Sequence, residues 1–145
     1  MSVFHFLHNE KHKFYSLEAT EIESAEQRLG ERFPAELRQF YVEIGYGFAN
    51  RNETTAFHRI IGPHSAVDLH LRQDFYEYDS DLDMYDEREG VIFFEVVEGL
   101  YFEVRRDTTD ASPVYFMDTC ISDSLEKFFA QLDKEAHFYE KMLEE

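Results

Sequence analysis

The sequence predicts an α+β domain in which helices pack around an antiparallel sheet of about four to five strands. Capping residues and apolar periodicity mark helices towards both ends of the chain. Short β-branched and aromatic runs, separated by tight turns, fill much of the second half, and strands joined in this way pair antiparallel. With 145 residues, 43% of them hydrophobic, the chain is long enough to bury its own core. We therefore expect a single domain over residues 1–145.

The first helix is predicted from Glu21 to Leu29. Thr20 is placed to cap its N-terminus, and Glu23 completes the Thr-x-x-Glu pattern of a capping box. Gly30 can adopt the left-handed conformation that commonly ends a helix. The apolar residues of this range recur on one side, which is typical of a helix that packs on a core.

The second helix is predicted to follow almost at once. Pro34 suits the first helical position, where no backbone N–H is needed. From Leu37 to Ile44, apolar residues recur at the spacing of one helical face. Gly45 and Gly47 are predicted to end this helix.

The middle of the chain predicts a strand, a helix and a hairpin. Thr54 to Ile61 is rich in β-branched and aromatic residues and predicts a strand. A third helix is predicted to begin at Ser65, with Asp68 in the capping-box position. Val91 to Val97 and Leu100 to Arg105 flank a tight turn and predict a β-hairpin.

The C-terminal part predicts one more strand and the longest helix. Val114 to Met117 is a short apolar run after a turn-forming stretch. Asp123 is placed to cap the following helix, with Glu126 completing the capping box. Apolar residues from Leu125 to Leu143 hold one stripe over about five turns, which predicts a single continuous helix.

The charge of the chain restricts the class of partner. Acidic residues number 31 and basic residues 14, so the formal net charge is −17. Contacts to nucleic-acid phosphates and to anionic lipid both require an excess of Lys and Arg, so neither nucleic acid nor membrane is expected as a partner. A strongly negative protein instead associates rapidly with a positively charged one. The composition therefore favours a basic protein partner.

Cysteine use and the N-terminus predict a cytoplasmic protein. Cys120 is the single cysteine, so it cannot form an internal disulfide, and a reducing compartment is the simplest interpretation. The first residues lack the apolar run and cleavage site of a signal peptide. No catalytic signature surrounds Cys120, so we expect a buried or half-buried structural thiol.

Two motifs resemble metal sites but lack essential ligands. His8 and His12 have the spacing of two ligands on one helix face, without an obvious third ligand. Asp79, Asp81 and Asp83 imitate the start of a calcium loop, but the glycine and glutamate that the loop needs further on are missing. Phosphate-binding and nucleophile-elbow motifs are also absent from the sequence. We therefore expect no metal, no cofactor and no catalytic residues.

One segment interleaves carboxylates with tyrosines and is the predicted partner-binding site. Tyrosine buries a large area and keeps a polar tip, and it is enriched where binding energy concentrates in interfaces. Carboxylates around it can pair with Lys and Arg of a basic partner. The alternative is a solvated acidic loop that only keeps the protein soluble. The candidate residues are Asp74, Tyr76, Glu77, Tyr78, Asp79, Asp81, Asp83, Tyr85, Asp86 and Glu87.

The stretch IESAEQRLGERFPAELRQFYVEIGYG, which begins at Ile22, resembles the opening signature of the SUKH superfamily. In that family an amphipathic helix ends in Leu-Gly, a Leu-Pro or Phe-Pro pair follows, and a second helix closes at a glycine turn. The resemblance continues to about Leu132. The matching residues in the first motif are Ile22, Glu26, Leu29, Gly30, Phe33, Pro34, Leu37, Phe40, Tyr41 and Gly45.

The resemblance implies an α+β fold and a protein-binding role. Bacterial members are mostly cytosolic immunity proteins that neutralise a cognate toxin, often a nuclease or deaminase, and a eukaryotic branch includes a yeast regulator of glucan and cell-wall synthesis. The tryptophan usual near the first strand is absent, and Phe57 or His58 stands in that neighbourhood. We therefore expect a non-catalytic immunity protein that neutralises a basic, nuclease-type toxin. A regulatory scaffold of cell-wall synthesis and a small enzyme are the alternatives.

Overall fold

The computed structural model of the protein describes residues 3–50, 56–72, 90–106 and 111–143. A short 3-10 helix, His5–Leu7, precedes the first strand. The α-helices are α1 (Ala19–Leu29), α2 (Ala35–Glu43), α3 (Pro63–Leu71), α4 (Leu125–Lys134) and α5 (Glu140–Leu143). The strands are β1 (Lys13–Tyr15), β2 (Tyr46–Phe48), β3 (Arg59–Ile60), β4 (Val91–Val97), β5 (Leu100–Val104), β6 (Val114–Phe116) and β7 (Thr119–Ser122).

The strands form one antiparallel sheet in the order β1-β2-β3-β4-β5-β6-β7. Each strand therefore pairs with its neighbour in the chain, and the predicted α+β class is confirmed. The sheet has seven strands where about four to five were predicted. The strands β1, β2 and β7 were missed because three or four residues are too few to show a clear alternation of apolar and polar side chains.

Phenylalanine rings from α2, α4 and the sheet form the centre of the core. Phe40 of α2 stacks on Phe129 of α4, with ring centroids 4.4 Å apart. Phe93 and Phe94 of β4 meet the edge of Phe128 at 5.6 and 5.2 Å. Offset-stacked and edge-to-face pairs of this kind contribute beyond the apolar area that they bury. The packing fixes α2 and α4 against one side of the sheet.

The corner between α1 and α2 explains the Leu-Gly and Phe-Pro pairs of the sequence. Gly30 ends α1 in a left-handed conformation, with φ of +87°, as predicted. The buried Glu26 carboxylate accepts a hydrogen bond of 2.9 Å from the Phe33 backbone N–H and bonds of 3.2 Å from Arg38 Nε. A buried carboxylate is stable only when it is paired in this way. Glu26 therefore holds the chain in its turn between the two helices.

The predicted starts of the first three helices are wrong by one or two residues. Glu18, not Thr20, is the N-cap of α1, and its side chain makes no capping bond. Pro34 is the N-cap of α2 and not its first residue. Pro63 takes the first position of α3, two residues before Ser65, because its fixed φ suits a helix start. Asp68 pairs with Arg28 of α1 instead of capping α3.

Glu36 joins the start of α2 to the start of α4. Its Oε1 atom accepts hydrogen bonds from the backbone N–H groups of Ser112, at 2.7 Å, and Leu125, at 2.8 Å. Its Oε2 atom accepts a longer bond of 3.3 Å from the Glu126 N–H. A carboxylate at a helix N-terminus satisfies free N–H groups and interacts favourably with the helix dipole. The N-terminus of α4 thus has a cap from a distant part of the chain.

The long C-terminal helix is divided, contrary to the prediction. Ser124, not Asp123, is its N-cap, and the Ser124 hydroxyl accepts a bond of 3.1 Å from the Lys127 N–H. The helix α4 stops at Lys134 because Glu135 has an extended backbone, with φ of −146° and ψ of 111°. Tyr139 is buried, but it lies in the turn after α4 and not on the apolar stripe of one continuous helix.

The hairpin of β4 and β5 is confirmed, whereas the strand predicted before it is largely wrong. Only Arg59 and Ile60 of the range Thr54–Ile61 form a described strand, and residues 51–55 lie outside the described part. His58 has a left-handed backbone, with φ of +46°, which interrupts an extended strand. The strand β6 ends at Phe116, one residue before the predicted end at Met117.

Gly45 and Gly47 do more than end α2, since β2 begins between them. Their φ angles are +112° and +141°, which side-chain-bearing residues rarely adopt. A Cβ atom on Gly45 would lie 1.9 Å from the Tyr15 carbonyl oxygen, and one on Gly47 would lie 2.3 Å from that of Lys13. Only glycine therefore allows β1 to approach β2 at these two positions.

We expect Gly47→Ala to lower the free energy of unfolding by about 2–5 kcal/mol, from backbone strain and from overpacking against Lys13. Gly30→Ala is the matched control, because Gly30 also has a positive φ but has no heavy atom within 4 Å of the added Cβ. It should cost only about 1–2 kcal/mol. Denaturant unfolding of both variants measures the difference, and equal losses would contradict the close approach of β1.

Candidate protein-binding face

The partner-binding residues predicted from the sequence lie outside the described part of the chain. All of them fall in residues 73–89. The predicted site therefore stays a prediction. Its residues are Asp74, Tyr76, Glu77, Tyr78, Asp79, Asp81, Asp83, Tyr85, Asp86 and Glu87.

Three aromatic residues form an exposed patch on the outer side of β1 and β2, which we name the aromatic face: Tyr15, Tyr46 and Phe48. They are 43%, 38% and 40% exposed. Tyr15 lies opposite Tyr46 in the strand register, and their ring centroids are 5.5 Å apart. Phe14 and Gly47, at the alternate positions, are directed to the inner side. Large aromatic residues exposed together in this way are typical of an interaction surface.

A groove of about 390 Å³ runs beside the aromatic face. Its lining combines the outer side of β2 and β3 with the N-terminal ends of α1 and α3. The lining includes Leu17, Glu21, Tyr46, Phe48, Arg59 and Pro63. Apolar and ring atoms make up much of this wall, so the groove suits an apolar side chain of a partner.

The charges along the groove are unevenly neutralised. Arg59 Nε forms a 2.9 Å ion pair with Glu95 in the neighbouring strand. The exposed carboxylates of Glu18, Glu21 and Glu23, at the start of α1, take part in no ion pair with a described residue. Of these three, Glu21 lines the groove, so the wall that α1 contributes carries a negative charge.

A polar cluster at the start of β1 and the end of β2 contains two buried histidines, His12 and His58. His12 Nδ1 accepts a bond of 2.9 Å from the Asn50 backbone N–H, so its proton is on Nε2, 2.7 Å from Asp133 Oδ1. The Asn50 amide donates to His58 Nδ1 at 3.3 Å. The His58 Nε2 proton then points to the Tyr139 hydroxyl at 2.7 Å. The cluster links β1, the end of β2, α4 and the turn before α5.

Burial lowers the pKa of His12 below its usual 6.5, although the hydrogen bond and the charge of Asp133 oppose this change. Burial raises the pKa of Asp133, but hydrogen bonds from His12, Asn9 and Lys11 outweigh it and hold that pKa below 3.8. The neutral His12 ring fits its contacts, since a proton on Nδ1 would face the Asn50 N–H. The pair is therefore an ionised carboxylate beside a neutral imidazole.

The histidine cluster has the residue types of an acid–base site but is enclosed by the core. His58 is fully buried, and none of the cluster residues lines the groove beside the aromatic face. Within residues 3–50, 56–72, 90–106 and 111–143, no three His, Cys, Asp or Glu side chains are grouped to hold a metal ion. His8 is exposed, whereas His12 is buried, so they do not form the pair that their spacing suggests. The cluster binds secondary-structure elements together.

Cys120 is exposed on β7, so the prediction of a buried or half-buried thiol is wrong. The strand β7 was not predicted, and in a strand successive side chains alternate between the two sides of a sheet. Ile121 next to it is buried and fills the inner side. The Cys120 thiol makes a weak contact of 3.5 Å with the Ser122 carbonyl oxygen and also interacts with the side chain of Tyr115.

The aromatic face was missed in the sequence because Gly45 and Gly47 were interpreted as the end of α2. The alternation Gly45-Tyr46-Gly47-Phe48 was the available signal. Glycine at alternate positions leaves one side of a strand without side chains and places the aromatic residues on the other side. Phe57 and His58 lie where the family usually has a tryptophan. Their side chains differ in exposure, since Phe57 is exposed and His58 is buried.

The low pKa of His12 predicts that the free energy of unfolding falls as the pH drops below 6.5. The unfolded chain takes up a proton there that the folded protein does not, so protonation favours unfolding. Above pH 6.5 this contribution is fully present. Denaturant unfolding at a series of pH values should show a weaker loss in His12→Gln than in the wild type. His8→Gln is the control for an exposed histidine, and an equal change of slope in both variants would contradict the assignment to His12.

The structure has no membrane-crossing helix among the residues that it describes. The model of the SUKH_6 family, described as SMI1-KNR4 cell-wall, matches residues 19–129. The chain is also 33% identical over 139 residues to a protein of Bacillus subtilis (strain 168) named immunity protein YxxD, and the match covers 94% of both chains. No solved structure matches the chain significantly. The chain belongs to the SUKH_6 family of SMI1-KNR4-type proteins.

Proposed function

We propose that this protein is an immunity protein that binds a toxin domain and neutralises it without catalysing a reaction. The observation that carries the proposal is the relative named an immunity protein, which is 33% identical along 94% of its length. The match covers 94% of this chain and 94% of the relative, so it is not confined to one part of the fold. Membership of the SUKH_6 family agrees with a binding role.

The charge of the protein supports a basic toxin, of which a nuclease is the obvious kind because its substrate is a polyanion. A net charge of −17 accelerates encounter with a positively charged domain and makes that encounter depend on salt.

An immunity protein that protects the producing cell has to meet the toxin before or as it acts. We therefore place this protein in the cytoplasm.

The acidic tyrosine-containing segment is part of this proposal. Its carboxylates would pair with Lys and Arg of the toxin, and its tyrosines would contribute buried contact area. The alternative stays open that the segment only supplies solubility. The proposed contact residues are Asp74, Tyr76, Glu77, Tyr78, Asp79, Asp81, Asp83, Tyr85, Asp86 and Glu87.

Two observations bear on the alternatives. The family description refers to the cell wall, which favours a regulatory scaffold, but the full-length relative carries the immunity name. An enzyme would require polar groups with altered pKa values that converge on an accessible pocket. His12 and Asp133 have such pKa values, but they lie in the buried cluster and not in the groove.

We expect the neighbouring gene to encode a toxin domain, and we expect this protein to bind that domain and to suppress its toxicity when both are expressed in one cell. The complex should form at nanomolar concentration, as for other inhibitor complexes of standard interface size. Growth assays and calorimetry measure the two effects. A toxin domain of the same activity from an unrelated locus is the control. Absence of a complex with the neighbouring domain at about 10 μM, a concentration roughly ten-thousandfold above a Kd of about 1 nM, would refute the proposal.

The acidic segment should set the rate of association more than the rate of dissociation. Asp79, Asp81 and Asp83 changed together to Asn should slow association by about threefold or more at low salt, with dissociation nearly unchanged. The control is the same number of neutralised carboxylates elsewhere, in Asp118→Asn with Glu126→Gln and Glu135→Gln, which are all exposed. Stopped-flow measurements at about 50 and 500 mM NaCl separate the effects, because salt screens exposed charges. Equal slowing in both variants would show that only net charge matters.

A further inference from the structure

We propose that the aromatic face and the groove beside it anchor the toxin, by receiving an apolar side chain that is flanked on the toxin by Lys or Arg. This inference rests on the proposed function and specifies the surface through which it operates. Within the described residues, the aromatic face is the place where large exposed rings, a groove and unpaired carboxylates come together.

The aromatic face is held rigidly enough to act as an anchor. Tyr46 and Phe48 lie on β2, which is paired on one side with β1 and on the other with β3. The Tyr46 ring lies against Gly62, where an added Cβ would be 3.5 Å from the Tyr46 Cγ atom. It also contacts the ring of Tyr15 in β1. Rings that are already ordered in the free protein lose little conformational entropy when a partner covers them.

The residue types are those that dominate interface energetics. Exposed Tyr and Phe supply large contact areas with few rotatable bonds, and binding energy concentrates at such residues when they surround a pocket. The groove of about 390 Å³ offers such a pocket next to Phe48 and Leu17. A side chain of the toxin that enters it would be covered by the rings on one side and by the start of α1 on the other.

The charges at the border of the groove select the partner. Glu18, Glu21 and Glu23 are exposed and make no ion pair with a described residue, whereas the nearby cations Arg28 and Arg59 are paired with Asp68 and Glu95. Lys13 is an exposed cation that pairs with Phe48 in the strand register, so it lies at the β1 edge of the aromatic face. Glu21 in the groove wall, with Glu18 and Glu23 near it at the start of α1, outweighs this lysine, and the resulting negative charge complements Lys or Arg of a basic toxin.

The test uses full-length variants of this protein and the toxin domain encoded beside its gene. Phe48→Thr and Tyr46→Thr keep residues suited to a strand while removing the rings. We expect each to weaken binding by about 30-fold or more, mainly through faster dissociation, as for central interface residues. Val42→Ser is the control, since Val42 is 54% exposed on α2 and does not line the groove. Its affinity should stay within about threefold of the wild type, as for a residue outside the interface.

Charge reversal tests the choice of partner. Glu21→Lys should slow association by about threefold to tenfold at low salt, because it opposes the basic toxin. Glu135→Lys changes the net charge equally at an exposed site beyond α4 and should have a smaller effect. Thermal unfolding of all variants identifies any that fail to fold, and the exposed variants Tyr15→Thr and Glu21→Gln then replace them.

The outcomes separate this inference from the proposed function. If the wild type does not bind the toxin domain, the proposed function fails and this inference fails with it. If the wild type binds and the variants of Tyr46 and Phe48 bind equally well, the immunity function stands and the aromatic face is not the anchor. If light scattering shows that the wild type forms dimers which these variants abolish, the face belongs to a second copy of the chain, and the inference is overturned.

Discussion

The approach of β1 to β2 is the constraint on which the candidate site depends. Gly45 and Gly47 leave room for the carbonyl oxygens of Tyr15 and Lys13, so the chain segment before α1 can add a strand to the sheet. That strand places Tyr15 beside Tyr46 and closes the outer surface at the edge of the sheet. His12, directly before β1, is then fixed under it by Asn50 and Asp133. The same contacts thus build the surface and secure it to the core.

Part of the acidic composition is structural. The carboxylates of Glu26, Glu36 and Glu43 each accept hydrogen bonds from backbone N–H groups that lie outside their own helix. Glu43, for instance, binds the N–H of Val3 at 2.9 Å and that of Phe4 at 3.1 Å. Such bonds satisfy donors that neighbouring secondary structure leaves free, and losing a partner for a buried donor is costly. The net charge therefore overstates how many carboxylates are available to a partner.

Sequence patterns predicted the elements that have clear local signals. They failed for elements whose formation depends on tertiary contacts. The hairpin of β4 and β5 and the glycine stop of α1 follow from local signals and are confirmed. The strands β1 and β2 were not predictable, because each has only three residues. Their pairing depends on two glycines, Gly45 and Gly47, and the reason for glycine at these positions is visible only when the partner strand is in place. The aromatic face was missed for the same reason, and the predicted acidic site lies in residues that the structure does not describe.

The geometry of β1 and β2 separates the residues that maintain the fold from the residues that can contact a partner. Side chains at alternate strand positions are directed to opposite sides, so Phe14 and Gly47 serve the core while Tyr46 and Phe48 face outwards. An exchange of the outer residues leaves the Phe14–Phe40 contact, with centroids 5.9 Å apart, and the glycine approach unchanged. Since exposed substitutions away from such contacts cost little stability, the same scaffold can change its partner without changing its fold. That independence of recognition from folding follows from the alternation of side chains along the two short strands β1 and β2.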